Sequence, residues 1–204
     1  MIRIPFHSMA TQTHKLLATK SCMRAREFRQ HGIHSGALAR MCALGFIQRV
    51  GRGIYELPNT DITENHGLVI VKQRVPHGIV CLLSALQFHG LSTQIPYEVW
   101  IAISRKAWRP KQNNPHIRFI NMADMLLTHG VKRYRIEGNT ISITTPPRTV
   151  ADAFKFRNKI GIDVALEALR NYTHKRIGSI NELLAAAKLV RVDNIMHPYI
   201  EALL

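Results

Sequence analysis

The sequence predicts a mixed α and β protein, with a small basic domain at the N-terminus and a larger α/β domain after it. Two observations lead to this fold class. Some segments repeat apolar residues at helical spacing, whereas others are short runs of β-branched and aromatic residues beside glycines. The 204 residues suffice for two modest domains, and an apolar content of 46% supplies their cores.

The first 57 residues predict three short helices followed by a hairpin. The helices are expected at residues 11–19, at 22–31 with Ser21 as the N-cap, and from an N-cap at Ser35 to a terminating Gly45. The hairpin is expected at residues 46–57, where strand-forming residues flank the turn Gly51-Arg52-Gly53. This order of elements is typical of a winged helix-turn-helix.

The charge is strongly positive and indicates a polyanionic partner, with nucleic acid as the first choice. The formal net charge is +15 and the pI is near 10.4. Through residue 56 there are nine Lys and Arg against two acids, which gives 9 − 2 = +7. Because binding to phosphates releases counterions, a basic surface of this kind favours nucleic acid.

The third helix and the hairpin carry the predicted DNA contacts. Base contacts are expected from residues at the start and on the outer face of the helix, with Arg40 the foremost because arginine can donate two hydrogen bonds to guanine. This set is His34, Ser35, Gly36, Ala39 and Arg40. Phosphate contacts are expected from Lys20, Arg24, Arg26, Arg29, Arg49 and Arg52. The alternative for each is an ordinary solvated side chain.

The predicted domains are residues 1–58, a linker at 59–64, where Asp61 and Glu64 bring the first group of acids, and residues 65–204. Helices are expected at 64–74 and 81–89, and strands at 98–104, 116–121, 131–136 and 140–144, with a turn at Gly138-Asn139. Further helices follow Thr145-Pro146-Pro147, at 162–172, from Ser179 and from Asp193. Arg148 and Asp152 are expected to pair on a helix surface.

A second group of basic residues follows, with Trp100, Trp108 and Tyr134 interleaved. Its members are Arg105, Lys106, Arg109, Lys111, Arg118, Lys132, Arg133 and Arg135. Aromatic and basic side chains together suit contact with RNA or DNA. A solvated loop and strand edge around core aromatics is an equal alternative.

Neither catalysis nor a cofactor is predicted. The sequence has no Gly-rich phosphate loop, H-E-x-x-H or G-x-S-x-G, and its eleven acids beyond Leu57 are scattered. The three cysteines and the pair His31 and His34 do not form a metal-binding pattern, so no metal is expected. No apolar run reaches the ~20 residues of a membrane span, and a soluble cytoplasmic protein is expected.

Four segments resemble the AbiEi family of type IV antitoxins. They are GIHSGALARMCALGFIQRVGRGIYELP at 32–58, LLSALQFHGL at 82–91, TPPRTVAD at 145–152 and HPYIEALL at 197–204. The resemblance implies a winged helix-turn-helix that represses its own operon at inverted repeats of double-stranded DNA. It also implies a C-terminal domain that counters a nucleotidyltransferase-like toxin without a stable complex.

The protein is therefore predicted to be a monomer in solution that binds its operator as two copies. Two alternatives stay open. One is an RNA-binding protein that acts through the basic residues at 105–135, and the other is a repressor without an antitoxin role. A nucleic-acid-modifying enzyme is a third hypothesis, which the scattered carboxylates disfavour.

Overall fold

The computed structural model describes residues 6–59, 62–110 and 115–203. Over these ranges the chain forms ten α-helices, one 3-10 helix and eight strands in two sheets, which confirms the predicted mixed fold. Two compact units are present, Met1–Pro76 with Arg135–Ile141 and His77–Tyr134 with Ser142–Leu204. The linker predicted at residues 59–64 stays a prediction. The N-terminal stretch of the first compact unit ends at Pro76.

The first unit contains four helices and a three-stranded sheet. In chain order the elements are α1 Phe6–Thr19, β1 Cys22–Arg24, α2 Ala25–Gln30, α3 Ser35–Ala43, β2 Gln48–Gly51, β3 Ile54–Glu56 and α4 His66–Arg74. The strand order is β1-β3-β2, with both pairings antiparallel. Leu17, Phe28, Leu38 and Met41 form the centre of its core, each almost fully buried.

The predicted helix at residues 22–31 was wrong at its beginning. Cys22, Met23 and Arg24 form β1, which pairs with β3 so that Met23 lies opposite Tyr55. This pairing overrides local helix propensity, which is a weak preference. Helix α2 therefore begins after Arg24, and Ser21 is not its N-cap.

Two further bounds differ from the predictions in this unit. Helix α1 begins at Phe6, five residues before the predicted start. Strand β2 begins at Gln48, and Phe46 is 54% exposed although it was expected to start a strand. The glycine-flanked turn at residues 51–53 is confirmed between β2 and β3.

The second unit holds most of a five-stranded sheet together with helices. Its elements are β4 Ile79–Val80, α5 Leu82–Phe88, β5 Val99–Ile103, β6 Ile117–Asn121, a 3-10 helix Asp124–Leu127, β7 Val131–Ile136, β8 Asn139–Thr144, α6 Pro146–Lys155, α7 Arg157–Ile160, α8 Ile162–His174, α9 Ile180–Val190 and α10 Asp193–Glu201. The strand order is β6-β5-β4-β8-β7. All four strands predicted in this region are present, and β4 was missed because it has two residues.

The hairpin between β7 and β8 turns one residue earlier than predicted. Glu137 and Gly138 both have positive φ, 48° and 73°, and β8 already begins at Asn139. A Cβ on Gly138 would lie 1.8 Å from the carbonyl oxygen of Thr19, so no side chain fits at this turn. The tip, Arg135–Ile141, belongs to the first unit.

The sequence suggested that Arg148 and Asp152 pair on a helix surface, but the structure buries this pair. Both side chains are fully buried, with Arg148 Nε donating to Asp152 Oδ1 at 2.9 Å. Arg148 Nη1 also donates to the main-chain oxygens of His129 and Leu126, at 2.9 and 3.4 Å. The i,i+4 spacing was correct, but this face of α6 packs into the core of the second unit.

Candidate nucleic-acid interface

Helix α3 presents one buried and one solvent-exposed face. Ala37, Leu38 and Met41 are buried. The residues predicted to contact bases, namely His34, Ser35, Gly36, Ala39 and Arg40, are all exposed. The face of α3 that was predicted to contact DNA is therefore exposed to solvent.

The beginning of α3 differs from the prediction by one residue. His34, and not Ser35, is the N-cap, and its Nδ1 accepts a hydrogen bond from the backbone N–H of Ala37 at 3.1 Å. Ser35 is the first helical residue, so its hydroxyl group does not act as the N-cap. The N–H groups of a first helical turn favour anions, which suits a phosphate near this end of the helix.

Arg40, the foremost candidate for base contact, is held in place by an aromatic ring. Its guanidinium carbon lies 4.2 Å from the centroid of the Phe6 ring. Such a contact between a cation and the face of an aromatic ring is attractive. The N–H donors of the group lie in its plane, where a bidentate hydrogen bond to guanine would form.

The hairpin of β2 and β3 exposes two arginines. Arg49 lies on β2 and its Nε donates to the carbonyl oxygen of Gly51 at 3.1 Å, while Arg52 lies at the turn. The pairing of β2 with β3 shifts register between Arg49 and Gly51. Such a bulge re-aims side chains and twists a hairpin locally.

The phosphate-contact candidates before α3 differ in their local roles. Lys20 forms an ion pair with Glu27 at 3.0 Å, and the backbone N–H of Arg24 donates to the same carboxylate at 2.9 Å. Burial, and then the neighbouring charge of Arg26, lowers the pKa of Arg24 below its usual value. Arg26 and Arg29 are exposed. Lys20 and Arg24 thus help to stabilise the start of α2.

The residues of the second basic group lie near two opposite edges of the five-stranded sheet. Arg118 lies on β6, and Arg105, Lys106 and Arg109 follow β5. Lys132 and Arg133 lie on β7 at the opposite edge, about 19 Å away if four strand spacings of ~4.8 Å separate the edges. Arg135 belongs to the first unit, and Lys111 lies outside the described residues.

The β6 edge combines cations with rings. The guanidinium of Arg118 lies 5.5 Å from the Trp100 ring and 3.8 Å from the Glu98 carboxylate. That of Arg109 lies 5.5 Å from the Phe119 ring and donates to Asn121 Oδ1 at 2.8 Å. Trp108 is 76% exposed, whereas Trp100 is buried. Part of the predicted aromatic and basic surface is therefore present at this edge.

Sequence reasoning missed a buried cluster in the first unit, formed by Glu56, His66 and Glu137. His66 Nε2 lies 3.0 Å from Glu56 Oε2, and its Nδ1 lies 2.7 Å from Glu137 Oε2. Since ionised carboxylates only accept hydrogen bonds, both ring nitrogens donate only when the imidazole carries two protons. Glu137 is 71 residues from His66, so no local spacing could reveal the cluster.

The environment of Glu137 favours its ionised form. Burial opposes ionisation, but hydrogen bonds from His66 and from the N–H and hydroxyl of Thr63 outweigh it, so the pKa of Glu137 lies below its ordinary value. Within residues 6–59, 62–110 and 115–203, no three His, Cys, Asp or Glu side chains are arranged as ligands for a metal ion. Over the same ranges, every helix is too short or too polar to cross a membrane.

Comparison with solved structures gives a distant similarity. The crystal structure of the RV2827C protein from Mycobacterium tuberculosis aligns with 12% sequence identity and a TM-score of 0.49, over 98% of this chain and 82% of that one. No curated protein sequence matches the chain.

The family comparison bears on the segment that carries α3 and the hairpin. The family model AbiEi_4 matches residues 15–58, and its description is transcriptional regulator, AbiEi antitoxin. This match confirms the resemblance that the sequence suggested over residues 32–58. Residues 15–58, from within α1 through the hairpin, are similar to AbiEi-type transcriptional regulators.

Proposed function

We propose that the protein is a DNA-binding autorepressor and antitoxin whose first unit contains a winged helix-turn-helix. The observation that carries the proposal is the exposed face of α3, next in sequence to a hairpin with two exposed arginines, within the segment matched to the family. In this arrangement α3 enters the major groove and the hairpin lies along the phosphates. The DNA is the operator upstream of the protein's own gene.

The arginines of the hairpin are proposed to set affinity through phosphates. The test is fluorescence anisotropy of the full chain with the upstream duplex over a range of salt concentrations. Replacing Arg49 and Arg52 by Ala should weaken binding and make the negative slope of log K against log salt shallower by about 2, at ~0.9 for each lost phosphate contact. An unchanged slope would contradict the proposal for the hairpin.

Arg40 is proposed to set sequence choice. In Arg40→Ala, the preference for the operator over a scrambled duplex should fall about 5- to 150-fold, which corresponds to the ~1–3 kcal/mol of one bidentate base contact. The control variant carries Arg170→Ala, Arg176→Ala and Lys188→Ala, three exposed residues of the second unit. Equal losses of affinity and preference in test and control would show a general charge effect and reject the assignment.

Two copies are proposed to bind a repeated operator. Helix α3 carries a single charged residue, Arg40, so one helix offers few base contacts. Inverted repeats would supply the selectivity that one site lacks. Duplexes with one or two half-sites should therefore bind one and two copies, with the longer duplex bound more tightly at equal protein concentration.

The antitoxin role is proposed for the second unit, which would counter a nucleotidyltransferase-like toxin without a stable complex. The family description supports an antitoxin, and the toxin and mechanism belong to the proposal. In cells that express such a toxin from the neighbouring reading frame, co-expression of this protein should restore growth. Co-purification of the two proteins should recover no complex. Absence of that gene would leave a repressor alone.

RNA binding through the second unit is the competing candidate, and the β6 edge favours it. Exposed Trp108 lies next to Arg109, and base stacking on an aromatic ring is worth ~1–3 kcal/mol per base. Replacing Trp108, Arg109 and Arg118 by Ala should abolish toxin neutralisation if RNA is the target. Retained neutralisation would reject this candidate.

We further propose that the protein has no catalytic activity. The carboxylates are scattered along the sequence, and two of them make structural contacts with other side chains. Asp152 contacts Arg148, and Glu137 contacts His66. A divalent ion ordered at either carboxylate in a soaked crystal would overturn this part of the proposal.

A further inference from the structure

The first unit contains a cavity that the proposed DNA contacts do not use. Its volume is about 340 Å³, within the range of ~300–1,000 Å³ that is usual for small-molecule sites. Its lining is formed by α1, by Met41 of α3, and by Phe46 and Ile47, which follow α3. All of these residues belong to one compact unit.

The inner wall of the cavity is apolar. Met41 and Ile47 are buried, with exposed fractions of 0% and 3%, and Ala10 is half-buried. Phe46 is 54% exposed although its ring lines the cavity. An apolar wall beside an exposed aromatic ring favours the apolar body of a ligand, because burying that body removes apolar surface from water.

The outer wall of the cavity offers positive charge and hydrogen-bond donors. His7, His14 and Lys15 line it from α1, and all three are exposed. Residues 7 and 14 are two turns apart, so they lie on the same side of the helix. Neither α1 nor α3 contains an Asp or Glu, so no side chain of these helices repels an anion here.

We propose that this cavity binds a small amphipathic anion, with an apolar body against Met41 and Ile47 and a carboxylate near Lys15. The electrostatic complementarity comes from the ammonium of Lys15, and the imidazoles of His7 and His14 add hydrogen-bond donors. The inference does not rest on DNA binding, because none of the residues proposed to contact DNA lines the cavity.

The test is a fluorescence titration of the full chain with anilinonaphthalene sulfonate, an aromatic anion. Binding should saturate at one probe per chain, and decanoate should displace the probe more strongly than uncharged decanol. In Lys15→Gln the probe should bind about two- to fivefold more weakly, as expected for an exposed charge. In that variant decanoate should also lose its advantage over decanol.

A filling variant locates the site. Ala10→Trp should weaken probe binding at least about tenfold, since a bulky side chain excludes the apolar body. The matched control is Ala185→Trp, at an exposed alanine of α9. Phe46→Ala gives a second variant at an exposed position, and it should weaken probe binding while the circular dichroism spectrum is unchanged.

Three results would overturn the proposal. One is probe binding that does not saturate, and another is an equal effect of Ala10→Trp and its control. The third is that the wild-type chain binds no probe but forms a concentration-dependent dimer, which Ala10→Trp disrupts. That outcome would make the cavity a contact between two copies of the chain.

Discussion

Each compact unit buries a cluster of ionisable side chains, and the two clusters are built in opposite ways. In the second unit, Arg148 and Asp152 lie one helical turn apart on α6 and are fully buried. In the first unit, Glu56, His66 and Glu137 come from three separate elements or turns, with side chains 8%, 11% and 5% exposed. One cluster is local and the other is assembled by the tertiary fold.

The difference matters because the two clusters respond differently to protons. Arginine stays charged at any pH at which the protein is folded, so Arg148 always needs Asp152 or a main-chain acceptor. The cluster of the first unit contains Glu137, whose pKa lies below its ordinary value because hydrogen bonds from His66 and Thr63 favour the ionised form. The first unit should therefore be sensitive to pH, whereas the second should be sensitive to substitution.

The largest effect is expected from Asp152→Ala. Removing one partner leaves the other charge buried and uncompensated, at a cost of about 3–5 kcal/mol in free energy of unfolding, measured by denaturant. Burial also leaves Asp152 Oδ2 without a hydrogen-bond partner among the described residues. The double variant Arg148→Met, Asp152→Leu should lose less than the single variant, because no charge remains buried.

The control for this prediction is an exposed pair with the same spacing. His197 and Glu201 lie 3.3 Å apart, also at i and i+4, but both side chains are 65% exposed. Glu201→Ala should cost about 0–0.5 kcal/mol. If the two single variants were equally stable, burial of the Arg148 pair would have no energetic consequence and the comparison would fail.

Gly138→Ala should have the next largest effect, because the hairpin turn delivers Glu137 to the first unit. The new Cβ would lie 1.8 Å from the Thr19 oxygen at a φ of +73°, and we expect a loss of about 2–4 kcal/mol from overpacking and left-handed strain together. Gly45→Ala is the matched control, since Gly45 has the same φ and nothing within 4 Å of its Cβ.

The difference between the two glycine variants isolates the close approach to Thr19. Strain alone should cost Gly45→Ala about 1–2 kcal/mol. Thermal unfolding measures both variants. Equal losses would mean that the hairpin tip moves away from Thr19 at no cost.

A smaller and pH-dependent effect is expected from Glu137→Gln. Because the pKa of Glu137 is lower in the folded state than its ordinary value of 4.5, its carboxylate stabilises the fold above that value. The stabilisation is lost as pH falls through the lower, folded pKa. The wild type should therefore be more stable than Glu137→Gln near neutral pH, and the gap should close in acid.

Glu64→Gln makes the same chemical change at an exposed glutamate of the first unit. Its free energy of unfolding should follow that of the wild type across this pH range. A gap for Glu137→Gln that stays constant with pH would contradict the role given to its charge.

The smallest effects are expected at two buried cysteines, one influenced by each cluster. Burial, and then the charge of Glu56, raises the pKa of Cys22 to about 12. Burial, and then the charge of Asp152, raises the pKa of Cys81. With Ellman's reagent at pH 8, half-buried Cys42 should react first. Rapid reaction of Cys22 or Cys81 in the native protein would show that its cluster opens readily.

The sequence predicted the positions of helices and strands better than the burial and tertiary contacts of their side chains. Helical and strand periodicities located α3, the hairpin after it and strands β5 to β8, because these patterns are local. Burial of Arg148 could not be predicted, since an i,i+4 pair has the same spacing on a surface as in a core. Strand β1 was missed because its only support is pairing with β3, some thirty residues later.

The candidate site shows the same division. Exposure of His34, Ser35, Gly36, Ala39 and Arg40 followed from the helical face opposite Leu38 and Met41, which a sequence reveals directly. The contact of Arg40 with the Phe6 ring depends on how α1 packs, and the distribution of the second basic group over two sheet edges depends on strand order. Neither can be obtained from spacing along the chain.

The hairpin tip at Arg135–Ile141 has a consequence for how the protein can evolve and be dissected. A fragment that ends at residue 58 retains Glu56 but loses both His66 and Glu137. Extending it to residue 76 restores only His66. Recombination between relatives could therefore not exchange the first unit as one contiguous cassette, because residues 135–141 would have to be inherited from the same parent.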